Sequence, residues 1–160
     1  MARWLNQYGI AAFVLRYRVG PTYPTSVSLL DAQRAVRLVR SRAQEFALDV
    51  NRIGMLGFSA GGHLALAVAT KGDQGDAQAE DPIEQQSSQV NFAVPVYAVT
   101  NGAKRGRKAD EYTPTDESVN PQTAPCFIVH THEDAIVPAS QATLIYDCLL
   151  YTSDAADDPT

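Results

Sequence analysis

Residues 57–63 read GFSAGGH, a serine held between small residues with two glycines behind it. Gly57-Phe58-Ser59-Ala60-Gly61 fits the spacing Gly-x-Ser-x-Gly, and its setting decides what the match means. Before it stands NRIGMLGF, Asn51 to Phe58, which is short, apolar and bounded by polar residues, and so reads as a strand. After it, Ala60 to about Lys71 is apolar almost all round, as in a helix buried at the centre of a domain. A chain that turns sharply from strand into helix at a serine lifts the hydroxyl clear of the sheet. The turn strains the serine's backbone, and the positions two before and two after it crowd one another and must be small. The N–H after the serine, here that of Ala60, then points at a developing oxyanion, and the helix start adds partial positive charge. Ser59 is therefore a candidate nucleophile and Ala60 a candidate oxyanion donor. The competing reading is a tight glycine turn where a sheet approaches a helix. A dinucleotide-binding fingerprint is a poor rival, because Gly57, Gly61 and Gly62 do not have its spacing.

Working outward, IAAFVLRYRV at residues 10–19 reads as a buried strand. GPTYPTS follows as a loop broken by Gly20, Pro21 and Pro24. From about Leu29 to Ala47 the pattern is helical, with Ala32, Val36, Val39, Ala43 and Phe46 sharing one face. Ser28 and Asp31 resemble a capping box at its start. Gly72 to Gln89 is a polar surface excursion. VNFAVPVYAV, Val90 to Val99, reads as a third strand, although Pro95 argues against a regular central ladder. Residues 100–124 form another polar loop, PCFIVHT (Pro125 to Thr131) a fourth strand, and Ala139 the start of a helix. This alternation implies the α/β class, with a mostly parallel sheet and helices on both faces.

The length of 160 residues suits a single core. A net charge of −5 argues against a nucleic-acid partner. The basic run KRGRK, Lys104 to Lys108, reads as a solvated loop. Two distant cysteines make neither a metal pattern nor a disulfide framework, and Cys126 reads as a small buried hydrophobe. No metal-ligand cluster is visible, and nothing is long and apolar enough to span a bilayer.

GFSAGGHLA, preceded by D…A.RLVR…LDVNRI and followed by PCFIVHTHEDAIVP, resembles the α/β-hydrolase esterases. The nearest likeness is to their acetyl-esterase and feruloyl-esterase-like branch, which borders the prolyl-oligopeptidase-type hydrolases. It covers about Ala2 to Asp147. The resemblance implies a partial α/β-hydrolase fold in which Ser59 is the nucleophile, the Ala60 N–H serves the oxyanion and Asp134, within HEDAIVP, is the triad acid. The local reading agrees, since acids at the carboxyl ends of parallel strands are where α/β sites form. A turn aspartate before the helix at Ala139 is the plainer alternative. Glu133 ranks lower because the Val137-Pro138 spacing selects Asp134. The implied reaction is cofactor-free hydrolysis of a small carboxylic ester through an acyl-enzyme. A peptidase of the prolyl-oligopeptidase type and a non-catalytic relative are the alternatives.

In this fold the triad runs serine, acid, histidine along the chain, and no histidine follows Asp134. His63 lies one turn into the elbow helix, His130 in a strand and His132 on the acid loop, and none reads as a good general base. The end of the chain suggests why. CLLYTSDAADDPT differs in character from the rest, and Cys148 to Asp158 matches an in-frame translation of a transposase mosaic-end sequencing adapter. The expectation is a single incomplete domain over residues 1–147 and an artefactual tail over 148–160 that packs poorly or is disordered. The family's His-Gly-Gly-Gly-type loop is also not seen, and MARWLNQYG reads as the tail of the helix after it. The chain as given is expected to be nearly inactive, since losing a triad member removes most of the rate.

Overall fold

β1 (Gly54–Phe58) and β2 (Phe92–Val96) run parallel, with Gly54 opposite Phe92 and Phe58 opposite Val96, in a computed structural model that describes residues 1–106 and 111–157. Val50 to Arg52 form a 3₁₀ turn before β1 rather than part of the strand. On the far side of β2, Cys126 and Val129 make isolated parallel bridges to Ala93 and Val96. The expected fourth strand over Pro125–Thr131 is thus reduced to two bridges, and Pro95 is the reason. Ala93 N–H donates to Pro125 O, and Tyr97 N–H to Val129 O. Pro95, midway between them, has no N–H to offer. Its carbonyl still accepts from Val129 N–H at 3.1 Å, so the segment stays alongside with one rung missing.

Three helices cover one face of this sheet: α2 (Thr25–Ser41), α3 (Ala60–Lys71) and α4 (Ser140–Asp157). A short α1 (Ala2–Asn6) precedes them and buries nothing. α3 has the expected bounds and is buried continuously from Gly62 to Thr70. Leu64 and Val68 of α3 pack with Ala32 and Val36 of α2 and Ala93 of β2, while Leu66 packs with Ala98 and Ile145 of α4. Each fully buried aliphatic side chain of this size contributes about 1.5–3 kcal/mol. The side chains that alternate to the other face, Leu56, Phe58, Phe92, Phe127 and Val129, are exposed, Phe127 by 71%.

Residues 10–19 do not form the expected strand. They carry no regular structure, with Leu15 and Tyr17 against the α2–α3 cluster, and no described strand pairs with them. Ile10, Phe13, Val14 and Val19 are exposed, so the expected burial also fails here, and a strand needs a neighbouring backbone. Ser28 and Asp31 serve this segment instead of capping α2, which begins earlier, after Pro24. Ser28 Oγ donates to Arg18 O at 2.7 Å, and Asp31 accepts from Arg18 N, Nε and Nη2. α2 also ends sooner than its apolar pattern. Residues 42–47 are turns closed by Ala47 at φ 53° and by Leu48 N–H on Ala43 O.

The polar excursion after α3 is irregular but tied down by a stripe of α2 arginines at helical spacing. Arg34 pairs with Asp81 and Glu84, Arg37 with Asp73 and Glu84, and Arg40 donates to Ser87 O and Gln89 O. Of the basic run, Lys104 pairs with Asp116 at 2.6 Å and Arg105 reaches Ile136 O, while Arg107 and Lys108 lie outside the described residues. At the C-terminal end, α4 continues without a break through Cys148 to Asp157. Leu149, four residues after the buried Ile145, extends the same apolar face and packs against its cluster, so the tail starts as ordered helix rather than loose chain. Residues 158–160 lie outside the described residues. No helix of the described chain is long and apolar enough to cross a membrane.

Candidate active site

Ser59 stands at the turn between β1 and α3 with φ 52° and ψ −115°. This backbone is forbidden to most L-residues and costs on the order of 1–3 kcal/mol. Neighbours hold it there: Ser59 N–H donates to Val96 O and Ser59 O accepts from His63 N–H, each at 3.0 Å. The Ser59 side chain makes no capping hydrogen bond, and Ala60 is exposed with its N–H at the start of α3, where no helical acceptor exists. The crowding expected between the positions flanking Ser59 proves one-sided. A Cβ on Gly57 would meet Gly61 O at 2.0 Å, whereas one on Gly61 would meet nothing within 4 Å. Gly62 is the second position that must be small, because a Cβ there would come within 2.8 Å of Ala98 Cβ.

Asp134 lies beyond the bridged segment, at the same carboxyl end of the sheet. Its Oδ1 accepts from the N–H groups of Ile136 and Val137, both at 2.8 Å, and these bonds hold the carboxyl below the usual range. Oδ2 lies 3.9 Å from His130 Nε2. β2 separates the strand ends leading to Ser59 and Asp134, so two inter-strand spacings, about 10 Å, lie between them. Tyr97 occupies the end of β2 between the two, at φ 36° and 36% exposed, its ring tilted against Phe58.

The three histidines fall in different places. His63 is 3% exposed, its Nδ1 2.9 Å from Val99 O and its ring edge-on to Tyr112. Burial pushes its pKa down to about 4. The His130 side chain is 6% exposed, with Nε2 2.8 Å from Val137 O. His132 and Glu133 are exposed on the acid loop.

A strained serine at a strand-to-helix turn, a glycine-backed helix behind it and an aspartate loop on the same sheet end are features shared with known hydrolases. The sequence matches the BD-FAE family over residues 1–118. The chain belongs to the BD-FAE family of α/β-hydrolase esterases. Among solved structures, an acetyl ester-xyloside bifunctional hydrolase from Caldicellulosiruptor lactoaceticus is 40% identical, with a TM-score of 0.87 over 94% of this chain and 60% of that one. An α/β hydrolase, MGS-M1, from a Medee basin deep-sea metagenome library is 28% identical, with a TM-score of 0.74 over 95% of this chain and 55% of that one. An acetylxylan esterase of Xylanibacter ruminicola is 28% identical over 84% of this chain and 29% of its own length. The chain thus spans less than a third of that relative and about three-fifths of the most similar of these two structures.

Proposed function

We propose that this BD-FAE domain carries the nucleophile and acid of a serine carboxylic-ester hydrolase that cleaves small acetyl esters. The strained Ser59 backbone carries the reading, since a cost of that kind persists where function requires it. In the proposed reaction Ser59 Oγ attacks the ester carbonyl and the Ala60 N–H receives the oxyanion. The alcohol leaves, and water releases the acid from an acyl-Ser59 intermediate. Asp134 Oδ2, the oxygen free of loop amides, orients the imidazole that moves the proton between serine, leaving group and water. His63 and His130 are engaged with backbone carbonyls, so neither is proposed for that role. The names of the relatives, which include an acetyl ester hydrolase and an acetylxylan esterase, support an acetyl ester over a peptide bond.

The test uses free imidazole to replace the general base. The chain and its Ser59→Ala variant are incubated with an aryl acetate, with and without imidazole, and the intact protein is weighed. An acetyl group on Ser59, formed faster with imidazole and absent from Ser59→Ala, supports the reading. A folded chain that never takes up acetyl at Ser59 overturns it.

A further inference from the structure

We propose that His130 is a positioning residue for the Asp134 carboxylate, acting by holding the carbonyl of the residue whose N–H the carboxylate accepts. The inference rests on Asp134 being the triad acid, and concerns how that acid is aimed.

Val137 is clasped from both sides. Its N–H donates to Asp134 Oδ1 at 2.8 Å, and its carbonyl lies 2.8 Å from His130 Nε2. Val137 is 2% exposed, so neither group can turn to water instead. Among the described residues, no backbone N–H donates to its carbonyl. Pro138 follows and keeps Val137 out of the helical conformation. The first N–H groups of α4 go elsewhere: that of Gln141 to Pro138 O, and those of Ala142 and Thr143 to Ala139 O. A side-chain donor has to close the loop, and His130 supplies it from the strand end seven residues back.

The chemistry fixes which nitrogen carries the proton. A carbonyl only accepts, so Nε2 carries an N–H. Nδ1 is buried and has no hydrogen-bond partner among the described residues. The ring's orientation answers to Val137 at one nitrogen only.

The consequence appears at Asp134. With Ile136 and Val137 N–H both on Oδ1, the carboxylate plane is set and Oδ2 is left for another partner. His130 Nε2, at 3.9 Å, is too far from Oδ2 to take it. Arg105, which reaches Ile136 O, is a cationic group facing Asp134 among the described residues. Without the Nε2–H donor, the Val137 carbonyl would be buried and unpaired. The peptide would rotate to find a partner and take its N–H away from Oδ1.

The experiment is NMR on the 160-residue chain, following the Asp134 carboxyl carbon against pH and the amides of Ile136 and Val137. His130→Gln keeps an N–H near the Nε2 position, whereas His130→Phe keeps the ring volume and removes the donor. Both variants lose any imidazolium charge, so the contrast between them isolates the hydrogen bond. The expected result is an Asp134 midpoint below the usual carboxylate range in the parent and in His130→Gln, and a midpoint shifted up toward it in His130→Phe. The Val137 amide should lose its hydrogen-bonded shift in His130→Phe while the α3 amides stay in place. A His130→Phe midpoint and Val137 amide matching the parent would overturn the proposal. A direct reading of the parent covers the case in which His130→Phe does not fold: ring ¹⁵N shifts should show the Nε2–H tautomer, and the Nδ1–H tautomer would overturn the proposal. Acetylation of Ser59 is a separate readout, so the esterase reading and this one can fail independently.

Discussion

The space a side chain would need on Gly57 is filled by the backbone of Gly61: a Cβ there would lie 2.0 Å from the Gly61 carbonyl oxygen. The obstruction is backbone at the first turn of α3 and cannot rotate away. Gly57→Ala should therefore destabilise the fold by about 2–3 kcal/mol, as overpacking of a rigid site does. Gly61→Ala should cost nothing and gain up to about 1 kcal/mol from helix propensity. Urea unfolding of the two variants checks the contrast, and equal losses would contradict it.

Ser59 holds a backbone that glycine accepts without strain. Ser59→Gly should raise stability by about 1 kcal/mol, while Ser59→Ala, which keeps the Cβ, should not. Both should lose acetylation at residue 59. A Ser59→Gly chain no more stable than the parent would mean that the turn stores little strain.

His63 makes stability depend on pH. Its pKa falls from 6.5 to about 4 on folding because burial disfavours the charged ring. Between those values the unfolded chain binds the proton at His63 and the folded chain does not, so the His63 contribution to stability rises with pH from about 4 to 6.5 and is flat on either side. A shift of this size corresponds to roughly 3 kcal/mol. His63→Gln should flatten the rise between pH 4 and 6.5, measured by urea midpoints across that range.

Arg37 is the central member of the arginine stripe, with its side chain 10% exposed and bonded to Asp73, Glu84 and Gln86 O. Arg37→Ala should cost about 2 kcal/mol, less than a fully buried pair because Asp73 and Glu84 stay partly wet. The loss should be local. Amide exchange should quicken over residues 73–89 before it does in α3.

What could be read in advance depended on where each residue's partners lie. α3 has the bounds its composition implied, because a helix satisfies its own backbone and an all-round apolar surface only has to be buried. The Ser59 turn was legible for the same reason, since Gly57, Ser59 and the helix start are local. The 10–19 segment was misread because its side chains advertise burial, while a strand depends on a neighbour that sequence pattern does not display. Ser28 and Asp31 have capping spacing, but Arg18 competes for both side chains. The two-sided clasp on Val137 was invisible. Asp134 was read as the candidate acid, but nothing in the spacing ties His130 or Val137 to it until the loop closes on itself.

The wet aromatic and aliphatic side chains opposite α3 bear on the heat capacity of unfolding. Apolar surface already in water before unfolding adds nothing when the chain opens. Leu56, Phe58, Phe92, Phe127 and Val129 are in that state. The heat-capacity increment should fall below the usual value of about 12–15 cal/mol/K per residue. Stability should then vary less steeply with temperature, giving a shallow, broad dome rather than a sharp one.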